Sequence, residues 1–206
     1  MTTYTAAPSN ACSSPSNLTD PYLGYIGNAV GDAVEHGNTD LLEFVIYRDV
    51  NNDLISYEHC VVFGQRFMSF VQACPVAFRW LTRLVLHDLA FGDSHGSTVL
   101  SSCRKLEHLS LNECVCEVDH VTGEDTVLTI DAPNSSLLGL EIITCAYAGI
   151  NLVQAPKLGR LRCKDWLGAD PPFRFGKVPC LDSIVLECSA LHGQNPLGRG
   201  ARCCCA

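Results

Sequence analysis

Between Leu81 and Leu186 one short phrase returns five times, with apolar residues at its first, fourth and sixth positions. The copies are Leu81, Leu84 and Leu86; Leu106, Leu109 and Leu111, followed by Cys114; Leu137, Leu140 and Ile142, followed by Cys145; Leu158, Leu161 and Cys163; and Leu181, Ile184 and Leu186. A weaker copy, Leu41, Phe44 and Ile46, stands upstream. The five starts, at 81, 106, 137, 158 and 181, lie 25, 31, 21 and 23 residues apart. The last two apolar positions of each copy are two residues apart, so on a strand both point to one face, while the first anchors the turn into it. One such unit cannot bury that face alone. A stack can, because each unit covers the next, and the product is a quasi-one-dimensional solenoid.

The spacing L-x-x-L-x-L-x-x-C/N is the leucine-rich-repeat signature, whose period is about 20–29 residues. Short alternating pieces, Val127–Ile130, Ile150–Val153 and Pro172–Phe175, precede the last three copies. Pro133, Pro156 and Pro179 stand between piece and copy, where a missing N–H does least harm. The expected fold class is α/β: a leucine-rich-repeat solenoid forming a partial horseshoe, with early repeats of strand plus helix and later repeats of two strands each. Its concave strand face is then a surface for binding.

In chain order, a flexible leader over 1–24 precedes the repeat domain at 25–192, and a non-repeat tail over 193–206 follows. Ile26, Ala29, Val30, Ala33 and Val34 recur at three- and four-residue steps and predict a helix over Gly24–Gly37. A strand over Leu41–Ile46 comes next, then a helix over Ser56–Cys74 that gathers Phe63, Phe67, Phe70 and Val71 on one face and ends at Pro75. Ser97–Cys103 reads as a brief helical turn and Cys116–Asp125 as an exposed acidic loop.

With 47% hydrophobic and 17% charged residues the chain has the composition of a folded domain, and 206 residues suffice for a substantial core. A net charge of −8 argues against a nucleic-acid binder driven by phosphate neutralisation. No run approaches the roughly 18 apolar residues of a membrane span. Met1–Asn17 has neither a basic n-region nor an apolar h-region, so the expected setting is intracellular, cytoplasm or nucleus. In that setting the thirteen cysteines are read as free core thiols, several of them at fixed repeat positions.

Several phrases carry a family resemblance. Phe78-Arg79-Trp80-Leu81-Thr82-Arg83-Leu84, Cys103-Arg104-Lys105-Leu106-Glu107-His108-Leu109-Ser110-Leu111, Ile130-Asp131-Ala132-Pro133-Asn134-Ser135 and Pro156-Lys157-Leu158-Gly159-Arg160-Leu161 followed by Trp166 resemble the repeat region of plant F-box/LRR proteins. The resemblance runs from about residue 25 to 192. It implies a substrate receptor, in which an F-box docks on the Skp-type adaptor of a cullin-based ubiquitin ligase and the repeats present a target. Residues 1–40 carry no L-P-x-D/E-like F-box opening, so adaptor and cullin are expected only if an F-box is supplied elsewhere.

If the strands are in register, side chains alternating with the buried ones line the concave face. They are Glu43, Val45 and Tyr47; Arg83, Val85 and His87; His108, Ser110 and Asn112; Gly139, Glu141 and Ile143; Arg160, Arg162 and Lys164; Ser183, Val185 and Glu187. The candidate protein-binding set is Arg83, His87, His108, Asn112, Glu141, Arg160, Arg162, Lys164 and Glu187. Arg160, Arg162 and Lys164 place three positive charges on one strand of an acidic protein. One reading is cross-strand pairing of Arg162 with Glu141 and of Lys164 with Glu187; the other is an anchor for an acidic or phosphorylated target segment.

Other chemistry is weaker. Cys114-Val115-Cys116 with Asp119 and His120, and Cys203–Cys205, offer metal-ligand types without the paired C-x-x-C spacing of a zinc site. His87-Asp88, His95, Ser97 and Cys103 supply catalytic residue types, yet there is no G-x-S-x-G elbow, and Gly198-Arg199-Gly200 is an isolated glycine fragment. Trp80 and Trp166 border strands, as buried repeat caps or exposed interface anchors. The expectation is a protein-binding module without enzymatic activity, metal or cofactor. The alternatives are an inactive or decoy fragment and a repeat fragment of a nucleotide-binding immune receptor.

Overall fold

Alternation of apolar and polar residues sets the strands, and capping sets the helices. The computed structural model describes residues 4–5, 21–36, 42–46, 56–92, 94–116, 126–167 and 172–187. In the first half, Tyr4–Thr5 forms β1, Pro21–His36 α1, Glu43–Ile46 β2, Tyr57–Ala73 α2, Pro75–Trp80 α3 and Arg83–His87 β3. Ala90–Phe91 forms β4, His95–Ser102 α4, His108–Asn112 β5 and Val115–Cys116 β6. The second half is strand: Val127–Asp131 (β7), Gly139–Ile143 (β8), Gly149–Gln154 (β9), Arg160–Lys164 (β10), Phe173–Lys177 (β11) and Ser183–Glu187 (β12).

Every strand pairing among the described residues is parallel. A seven-stranded sheet runs β1-β2-β3-β5-β8-β10-β12, a three-stranded sheet β11-β9-β7, and β4 pairs with β6. Phe44, Leu84, Leu109, Leu140, Leu161 and Ile184 fall in one lateral row, and Ile46, Leu86, Leu111, Ile142, Cys163 and Leu186 in the next. The architecture is mixed α/β, with stacked parallel strands in a solenoid-like arrangement.

The backing of the large sheet changes along the chain. Helices cover β2, β3 and β5. There Phe44, Phe67, Phe70, Phe78 and Phe91 form an aromatic cluster with centroids 4.9–6.0 Å apart, mostly edge to face. Beyond β5 the backing is the three-stranded sheet, and Leu128, Ile130, Ile150 and Leu152 are buried with Leu140, Ile142 and Leu161. Two helical glycines serve close packing: a Cβ on Gly64 would strike the Ala90 carbonyl oxygen of β4, and one on Gly27 would strike the Cys74 thiol.

A feature without a glycine or asparagine to announce it recurs at four strand ends. Asp88, Glu113, Thr144 and Asp165, directly after β3, β5, β8 and β10, have φ of 56°, 53°, 52° and 50°. Each amide donates to the last carbonyl of the next strand in the row, at 3.1 Å to Asn112 and 2.8 Å to Ile143, Lys164 and Glu187. The left-handed residue turns the chain inward, and Leu89, Cys114 and Cys145, which follow the first three, are buried. Such conformations cost about 1 kcal/mol or more each outside glycine, most for β-branched Thr144.

Several expectations are corrected. α2 ends at Ala73 with Cys74 as its cap, directly before Pro75 as expected, but Pro75 then opens a further short helix, α3, in whose first turn its missing N–H costs nothing. The first helix begins at Pro21, and Tyr4–Thr5 pairs with β2, so two elements fall within the stretch read as a leader. Ile184 and Leu186 keep their places in the apolar rows but are 49% and 60% exposed, because nothing among the described residues covers the outer side of β12. The 117–125 loop and the 193–206 tail lie outside the described residues.

Candidate protein-binding face

The seven-stranded sheet brings all nine candidate residues onto one side, because buried and exposed residues alternate on β3 and β10. Three lateral rows result. The first is Glu43, Arg83, His108, Gly139, Arg160 and Ser183; the second Val45, Val85, Ser110, Glu141, Arg162 and Val185; the third His87, Asn112, Ile143, Lys164 and Glu187. Tyr47 lies outside the described residues.

Within this grid Arg162 is the internal hub. Its Nε and Nη2 donate to Glu187 Oε1 at 3.1 and 2.9 Å, and Nη1 lies 3.8 Å from Glu141 Oε1. These side chains are 40–43% exposed, so each pair contributes at most about 1 kcal/mol. The expected pairing of Lys164 with Glu187 is replaced. The two are register neighbours, but the longer, forked guanidinium takes the carboxylate. Arg83, Arg160 and Lys164 make no ion pair among the described residues. His87 and Asn112 are joined side chain to side chain, Nε2 to Nδ2, at 3.3 Å.

Gly139 plays a part the spacing alone did not reveal. A Cβ there would lie 2.8 Å from His108 Nδ1, so the absent side chain is what lets the His108 ring lie over β8. The signal in the sequence was a glycine at an outward position beside a histidine in register.

The residues weighed for catalysis are occupied structurally. Ser97 Oγ donates to the Thr129 carbonyl at 3.2 Å and accepts from the Asp131 amide at 2.8 Å, tying α4 to β7. The Gly92 amide donates to His95 Nδ1 at 2.9 Å. Burial pushes the Cys103 thiol up to about 12, so it carries no thiolate near neutrality. Cys114 and Cys145 donate to backbone carbonyls of Leu86 and Leu111 on neighbouring strands, and burial pushes the Cys114 thiol well up. Among the described residues all eight cysteines are free, seven of them buried, and no group of three or more His, Cys, Asp or Glu is placed to hold a metal. Asp119, His120 and Cys203–Cys205 lie outside the described residues.

Both tryptophans are half-buried, and the Lys105 ammonium sits 3.3 Å from the Trp80 ring centroid as a cation–π cap. No helix among the described residues is long and apolar enough to cross a membrane. The fold and this face define a solenoid-like α/β protein with a polar, partly cationic sheet surface. No protein-family model, curated protein or solved structure matches the chain.

Proposed function

We propose that the chain is a leucine-rich-repeat module that binds a target protein on the outward face of its large sheet and catalyses no reaction of its own. The observation that carries this reading is the grid of outward side chains held in register over six strands, with Arg83, Arg160 and Lys164 in no ion pair among the described residues of a protein of net charge −8. A rigid sheet with long polar side chains presents many simultaneous contacts. The F-box/LRR resemblance supports a more specific role, substrate recognition for a cullin-based ubiquitin ligase in the cytoplasm or nucleus, with the Skp-type adaptor reached through an F-box supplied elsewhere.

The test is affinity capture from plant extract with the wild-type chain and an Arg83→Glu, His87→Ala, Asn112→Ala, Arg160→Glu variant in parallel. A protein retained by the wild type and lost from the variant supports the binding-face role. Adaptor and cullin arriving with it support the ligase role, and a target arriving without them favours a decoy. Identical captures by the two chains contradict the reading.

A further inference from the structure

Resting on the binding role just proposed, we infer that the segment held by this face is an extended acidic peptide lying across the strands, with two acid groups about four residues apart. The juxtaposition behind it is Arg83 and Arg160 in one lateral row. Register sets Arg83 beside His108, His108 beside Gly139, and Gly139 beside Arg160. Three strand spacings of about 4.8 Å put the two arginines roughly 14 Å apart. An extended chain advances about 3.3 Å per residue with side chains alternating, so residues i and i+4 point the same way about 13 Å apart. Two acid side chains at that spacing meet both guanidinium groups without bending the peptide.

The charges on the face favour this partner. Its two carboxylates near β10, Glu141 and Glu187, are already engaged by Arg162, which leaves Arg160 and Lys164 with no ion-pair partner among the described residues. Arg83 and Arg160 are both exposed, and their planar forks match a carboxylate or phosphate bidentately. Between them Gly139 contributes no side chain, and the His108 ring lies low over that gap, so the middle of the row is flat enough for backbone to cross. Glu43, next in the row beyond Arg83, limits the acidic stretch on that side by like-charge repulsion. Asp or Glu side chains and phosphorylated Ser or Thr present the same chemistry.

The experiment is fluorescence anisotropy of the full chain with short labelled peptides on a Gly/Ser/Thr background. They carry a Glu pair at the four-residue spacing, the same pair adjacent, a Gln pair or a phosphoserine pair; a single-stranded oligonucleotide is the control. The spaced Glu peptide is expected to bind about tenfold tighter than the Gln peptide and to weaken with salt. Arg160→Glu and Arg83→Glu should each remove most of that gain while leaving the thermal melt in place. Tighter binding of the phosphoserine peptide assigns the source to phosphate, and equal binding assigns it to carboxylate. Equal affinity for Gln and Glu peptides, no binding of any acidic peptide, or preference for the oligonucleotide overturns the inference. A captured target protein that survives both charge reversals but is lost on His87→Ala with Asn112→Ala also overturns it, while leaving the binding face itself standing.

Discussion

The two halves of the seven-stranded sheet carry the same apolar spacing but bury it differently. Where helices back the sheet, Leu84 and Leu86 are completely buried in the core that also holds the phenylalanine cluster. Where strands back it, burial depends on the lateral neighbour. Leu161 and Cys163 of β10 are 1% and 3% exposed between β8 and β12, whereas Ile184 and Leu186 of β12, with the same spacing, are half-exposed or more. Spacing specifies which side a residue faces. Whether that side is dry depends on what lies across and beside it, which no single repeat encodes.

The largest effect should come from truncating the same lateral row in each half. Leu84→Ala leaves a cavity in a fully buried part of the core and should cost about 2–5 kcal/mol in urea unfolding. Ile184→Ala, already half in water, should cost about 0.5 kcal/mol or less. Similar costs would erase the contrast. The glycines come next. Gly64→Ala drives a methyl group into the Ala90 carbonyl oxygen and should lower stability by about 1–3 kcal/mol despite the better helix propensity of alanine. Gly149→Ala in β9 meets nothing within 4 Å and should be neutral or stabilising by up to about 1 kcal/mol.

A smaller gain is expected from the strand-backed side. Tyr147 is fully buried and its hydroxyl finds no hydrogen-bond partner among the described residues, so Tyr147→Phe should raise stability by up to about 1 kcal/mol. A thermal melt reads it, and a loss would reveal a partner for the hydroxyl. The alkaline limb contributes nothing at neutral pH. Cys103 is raised from 9.0 to about 12 by burial, so the folded state holds that proton more tightly than the unfolded chain does. Its stabilisation is complete below about pH 9 and is lost as pH rises toward 12. Cys103→Ala should flatten that limb of the pH–stability curve.

Much of this was legible in the sequence. The one-four-six spacing fixes the strand positions and their register, because any single-residue slip would turn leucines outward. Ser56 and Cys74 bracket α2, since a serine cap and a following proline are local signals. What was not legible depends on distant partners or on elements too short to show a period. β1, β4 and β6 are two residues each, below any periodic signal. Of the left-handed residues after the strands, Asp88 and Asp165 are of a type that tolerates the conformation, but Glu113 and Thr144 are not and do not advertise it. On the binding face the row positions were readable. Arg162's hold on Glu187 was not, because side-chain reach decided it against the simple register neighbour Lys164.

Native-state hydrogen exchange tests the stacked arrangement most directly, since protection follows how many neighbours hold each strand. Amides of β5 and β8, held on both sides in the sheet, should exchange only by the most global opening. Those of β10 should come next, and β12, paired among the described residues only with β10, should exchange fastest. Uniform protection across these strands, or β8 exchanging ahead of β12, would contradict a single spine of parallel strands stabilised neighbour by neighbour.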